Sequence, residues 1–147
     1  MEIKRHCKER LPGGERAWRR ACRIAGFDGV IDVIGLGQRR WSRAEIFSSN
    51  RGKFGITLGL YNSMRSISVF VPTSPCAVID PKRPAAGQVD PLLTLCHELG
   101  HYRQDLEGKS TRVGGQTLKA WRADPQERMA DVYGRELYAI VKGQEKN

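Results

Sequence analysis

The sequence predicts an α+β fold: an N-terminal helix, a small twisted and mostly antiparallel sheet, and two C-terminal helices. Three observations predict it. An apolar stripe at helical spacing runs through residues 15–25. Residues 54–60 and 67–71 alternate apolar with smaller side chains, as two paired strands do. Asp90-Pro91 and Asp124-Pro125 each supply an N-cap and a proline for the first helical position.

In the first helix Ala17, Trp18, Ala21, Cys22, Ile24 and Ala25 approximate the stripe, with Arg16, Arg19, Arg20 and Arg23 off it. Gly13-Gly14 precede the helix and Gly26 closes it. Residues 30–36 are a short apolar run with strand character, and residues 41–47 are ambiguous. Phe54, Ile56, Leu58 and Leu60 make one arm of an antiparallel hairpin; Ile67, Val69 and Val71 make the other. Asn62-Ser63-Met64-Arg65 joins them. From Pro72 to Pro91 five prolines indicate mostly loop, with a brief strand at 77–79. On the next helix Leu92, Leu95, Cys96, Leu99 and Leu106 gather on one side, while His97 and His101 share the other. A polar, glycine-rich connector at 108–115 leads to the last helix, which runs to about residue 141 with Met129, Ala130, Tyr133, Leu137, Ile140 and Val141 as its stripe.

A chain of 147 residues supports one core and is too short for two ordinary domains. We take it as one domain, with a basic N-terminal part over 1–65 and a core over 66–141. The first part holds 14 Lys/Arg against 6 Asp/Glu, and the remainder is nearly balanced at 11 against 10. That asymmetry suits a solvated face or contact with nucleic acid or another acidic partner. No apolar run reaches the length of a membrane span, and the first ten residues are charged throughout, so a membrane partner and a signal peptide are not expected. Cys7, Cys22, Cys76 and Cys96 form no CxxC pair, which points to reduced thiols in the cytoplasm.

The chemistry concentrates in His97-Glu98-Leu99-Gly100-His101. Histidines at i and i+4 project from one helical face, close enough to grip one Zn²⁺. Glu98 sits about 100° further round, where it can serve as general base to a water without displacing a ligand. A catalytic zinc normally takes three protein ligands. His6 is the one remaining histidine and lies far away in the sequence. Glu107 sits six residues past His101, but its use needs the helix to turn back, usually at a glycine that here is Gln104. The better candidate is Glu127, with Asp131 one turn later on the same face to accept the N–H of a ligating imidazole. Two alternatives remain open: Asp124-x-x-Glu127 also fits a capping box, and Asp131 also suits a solvated face.

HELGH followed by E-x-x-A-D on a later helix is similar to the gluzincin metallopeptidases. It looks most like their small single-domain members and the phage- and plasmid-associated ImmA/IrrE-type proteins. The resemblance covers residues 66–141. It implies a small sheet packed against the zinc helix, His97, His101 and Glu127 as zinc ligands, and Glu98 as base. It also implies an edge strand ahead of that helix, holding an extended protein or peptide substrate by main-chain pairing. Here that strand falls on Ile67, Ser68, Val69, Phe70 and Val71.

The expected activity is zinc-dependent peptide hydrolysis. Tyr138 and Tyr102 are the candidate donors to a developing oxyanion. Two rivals belong to other classes: a zinc-bearing regulatory protein acting on one partner such as a repressor, and a nucleic-acid-binding module working through its basic half. Retention of Glu98 argues against a purely structural zinc, which needs no base.

Overall fold

The computed structural model describes residues 1–8, 11, 13–35, 59–71, 90–108 and 124–145. In chain order these form β1 (Glu2–Arg5), α1 (Gly14–Ala25), β2 (Val30–Gly35), β3 (Gly59–Ser63), β4 (Ser66–Val71), α2 (Pro91–Leu106) and α3 (Pro125–Glu145). The class is mixed α and β, as anticipated. The expectations for residues 36, 41–47, 54–58 and 77–79, for Cys76, and for the connector beyond residue 108 lie outside the described residues.

The four strands form one sheet in the order β1-β2-β4-β3. Two of its three pairings are parallel, β1 with β2 and β2 with β4, and only β3 with β4 is antiparallel. This corrects the mostly antiparallel expectation. The hairpin signal located β4, but β3 shares only Gly59 and Leu60 with the arm expected over 54–60, and there Leu60 is exposed and Tyr61 buried. β1 carries no comparable signal: three of its four residues are exposed and charged. Its connection to β2 is long enough for a helical crossover, which is what a parallel neighbour requires. The hairpin is also tighter than expected, because Asn62 and Ser63 belong to β3 and only Met64 and Arg65 turn the chain.

β2 alternates half-buried with buried positions, whereas Ile67 to Val71 of β4 are buried continuously, as befits an inner strand. α2 packs on β3 and β4, and α1 and α3 pack on α2. The core between these layers contains Trp18, Ile31, Ile67, Leu92, Leu95 and Leu99, all fully buried. Each such aliphatic side chain contributes roughly 1.5–3 kcal/mol by leaving water. Ile24, Leu106, Met129 and Ile140, assigned to the apolar stripes, are exposed instead. They lie at the margins of their stripes, where the neighbouring layer no longer covers them.

α2 begins where the Asp-Pro signal placed it. The Asp90 carboxylate accepts from the Leu92 N–H at 2.9 Å, with Pro91 in the first turn. Tyr138 of α3 donates to the other Asp90 oxygen at 2.5 Å, tying the start of α2 to the middle of α3. The two helices cross at glycines. A Cβ on Gly100 would stand 2.8 Å from the Ala130 backbone, and one on Gly134 would stand 2.8 Å from the His97 nitrogen. That close approach brings the histidine face of α2 against the first turns of α3.

Candidate metal centre

His97 and His101 point from α2 toward Glu127 in the first turn of α3. His97 Nε2 lies 2.9 Å from Glu127 Oε2, and His101 Nε2 lies 3.1 Å from Glu127 Oε1. The imidazole centroids are 5.0 Å apart and nearly perpendicular. One donor atom from each of the three residues falls within 4.8 Å of the others, so the group could hold a metal ion. Among the described residues no other group does so.

Glu127 turns its two oxygens to the imidazoles, one on each. Capping of α3 is performed by Asp124, whose carboxylate accepts from the Gln126 N–H at 2.9 Å. Glu107 is the exposed C-cap of α2, outside the group. His6 pairs with Asp32 on the neighbouring strand at 2.8 Å. Asp131 sits where the i+4 spacing placed it: His97 Nδ1–H donates to its Oδ1 at 3.1 Å. Arg135 approaches the other Asp131 oxygen at 3.6 Å.

Electrostatics bind the three residues together. Burial disfavours charge on both imidazoles, but hydrogen bonding to Glu127 and the nearby Glu98 carboxylate outweigh it, and both histidines titrate above their ordinary value. Burial likewise disfavours the Glu127 carboxylate, yet the two imidazoles pull it down to about 2. Protons and a divalent cation therefore compete for the same nitrogens.

Glu98 is buried, with 7% of its surface exposed, on the side of α2 that faces β3. A Cβ on Gly59 would stand 3.1 Å from Glu98 Oε1 and 2.6 Å from the Thr94 methyl, so only a glycine lets the strand lie this close to the carboxylate. The expected substrate strand needs correction. β4 is flanked by β2 and β3, so the main-chain groups of Ile67, Ser68 and Val69 are paired on both sides, and Phe70 and Val71 are paired with β2. Among the described strands the edge beside Glu98 is β3. The sequence pattern could not separate these two arms, because alternation shows a strand's faces and not its neighbours.

Both candidate oxyanion donors are engaged in packing. Tyr138 serves Asp90, and Tyr102 donates to the Gly26 carbonyl at 3.0 Å with its ring edge-to-face on Phe27. Sequence reasoning missed Gln104, whose side chain reaches His101 Nδ1, and the glycines Gly59, Gly100 and Gly134. Gln104 was detectable by its i+3 spacing from His101; the glycines carry no such signal. On the basic side, Arg16, Arg19 and Arg23 are exposed along α1, with Arg19 3.8 Å from Glu15. No helix among the described residues is long and apolar enough to cross a membrane.

No protein-family model matches the chain, and neither a curated protein nor a solved structure does. What defines the site is its own geometry: a His–His–Glu group with a buried glutamate beside it.

Proposed function

We propose that the chain is a zinc metallopeptidase of gluzincin type. The observation that carries this reading is the convergence of His97, His101 and Glu127 from two helices, with Glu98 on the same helix turned toward a strand edge. Two imidazole nitrogens and one carboxylate oxygen are a donor set suited to catalytic zinc, which keeps a further position for water or substrate. When bound, zinc supplies Lewis acidity that makes water more acidic and polarises a peptide carbonyl.

The chain's own residues supply the remainder. Asp131 and Gln104 hold the Nδ1 protons of His97 and His101, leaving both Nε2 atoms for the ion. Glu98 takes the proton from the attacking water and returns it to the leaving amine. Among the described strands β3 is the outer one on this side, and it would receive an extended peptide by main-chain pairing, with Gly59 bringing it alongside Glu98. The substrate class is therefore a protein or peptide segment that can become extended. Cys7, Cys22 and Cys96 are free thiols, two of them buried, in keeping with a reducing cytoplasm.

Two variants test the proposal. Wild type is expected to carry about one zinc per chain by elemental mass spectrometry, and Glu127→Ala much less. Glu98→Gln is expected to keep its zinc while cleavage of an unstructured protein falls on the order of 10²–10⁴-fold. Undiminished cleavage by Glu98→Gln overturns the mechanism, and absence of zinc from wild type overturns the metal assignment.

A further inference from the structure

We infer that Gln104 is a positioning residue that locks the tautomer of His101 and couples it to the turn that carries Glu127. The inference rests on the metal-centre reading above. Gln104 is buried, and both ends of its amide are engaged. Its Nε2 lies 2.7 Å from the Gln126 carbonyl oxygen, and its Oε1 lies 3.1 Å from His101 Nδ1.

The orientation follows from what each partner can do. A backbone carbonyl only accepts, so the Gln104 atom facing Gln126 must be the NH₂ group. The opposite end is then the amide oxygen, which also only accepts. His101 must meet it with Nδ1–H, so any proton that leaves the ring for a metal leaves from Nε2, where without metal it bonds Glu127. Nε2 is the atom that faces Glu127 Oε1 at 3.1 Å. A one-way relay thus runs from the Gln126 carbonyl through Gln104 to the metal-facing nitrogen.

The relay differs from the arrangement at His97, whose Nδ1–H meets the exposed carboxylate of Asp131. An amide fixes the same tautomer without adding charge. Glu98, Glu127 and Asp131 already bring three carboxylates to this site, and a fourth at Gln104 would be buried against the Gln126 carbonyl. Because Gln126 immediately precedes Glu127, the same amide also ties the first turn of α3 to α2. One side chain therefore sets the direction of a ligand on each helix.

Zinc affinity, measured by competition with a chromophoric chelator, and the ¹⁵N ring shifts of His101 at a pH where the ring is neutral, read in a metal-free Glu127→Ala background that removes the competing acceptor at Nε2, test this together. Gln104→Leu is expected to bind zinc about 10–100-fold more weakly and to show a mixture of His101 tautomers. Gln104→Glu keeps the acceptor and is expected to keep the Nδ1–H tautomer. Tyr61→Phe serves as the structural control. It removes the 2.6 Å bond from Tyr61 to Asp105, another tie to α2, and is expected to lower stability with zinc affinity and ring shifts unchanged. Zinc affinity in Gln104→Leu within twofold of wild type, or an unaltered His101 ring, overturns the inference. Should Gln104→Leu fail to fold, loss of the Nδ1–H tautomer in Gln104→Glu overturns it equally. Failure of wild type to bind zinc overturns the metal reading, and the ring shifts, which need no metal, then decide the relay by themselves.

Discussion

Gly59 places a strand backbone against a buried carboxylate, and a single methyl group is enough to disturb that arrangement. In Gly59→Ala the new Cβ meets the Thr94 methyl at 2.6 Å and Glu98 Cγ at 3.0 Å, distances that force something to move. The flexible member is Glu98, since the strand is held by its ladder with β4. We expect Gly59→Ala to retain zinc and to lose at least tenfold in peptide cleavage, measured on the same unstructured substrate as Glu98→Gln. Full activity in Gly59→Ala would mean that the position of β3 is irrelevant to the base. The same residue scale shows that Glu127 does more than its capping pattern suggested. Glu127 turns one oxygen to each imidazole, while the Asp124 carboxylate accepts from the Gln126 N–H at the start of α3.

Between elements, the decisive contact is the crossing of α2 and α3. Glycine in a helix interior ordinarily costs about 1 kcal/mol relative to alanine, and α3 contains two of them. Gly134 lies under His97, whereas a Cβ on Gly143 would meet nothing within 4 Å. Substitution therefore has opposite signs at the two positions. Gly143→Ala is expected to raise stability by up to about 1 kcal/mol. Gly134→Ala is expected to lower it by about 1–3 kcal/mol through overpacking and to weaken zinc binding, because the backbone it displaces is that of a ligand. Chemical denaturation of both variants, with zinc content read on each, checks the pair. Equal effects at the two sites would remove the crossing as the device that brings the ligands together.

At the level of the whole molecule, the His–Glu–His cluster links stability to pH and to metal. Both histidines titrate above 6.5, so their contribution is complete below that value and is lost as pH rises through the raised folded-state values. Glu127 is lowered from 4.5 to about 2, so its contribution is complete above 4.5 and is lost as pH falls toward 2. After chelation the melting temperature of wild type, relative to Glu127→Gln, should be highest between these limits and should decline on either side. Zinc reverses the alkaline trend, because fewer protons then compete for the nitrogens. At a thousandfold excess over Kd, zinc should add about 4 kcal/mol, or roughly 8–16 °C for a chain of this size. The gain should be larger at pH 8 than at pH 5.5, which thermal scans with and without zinc would measure.

The amino-acid sequence by itself determined the elements whose signals are local. α1 ended at Gly26, both Asp-Pro pairs opened helices, and the chain turns back into β4 where a hairpin was expected. It also placed His97, Glu98 and His101 together, because a helix fixes the i, i+1 and i+4 directions regardless of surroundings. Glu127 and Asp131 were legible as a pair on one face, and only the packing of α3 on α2 brought Glu127 to the two imidazoles. Tertiary structure alone decided the rest. β1 was invisible because a polar strand at a sheet margin needs no apolar alternation. The inner place of β4 depends on which strands pair, a long-range choice that alternation does not encode. The roles of Gly59, Gly100, Gly134 and Gln104 come from atoms brought close by residues distant in the chain, and such contacts leave no period or spacing to read.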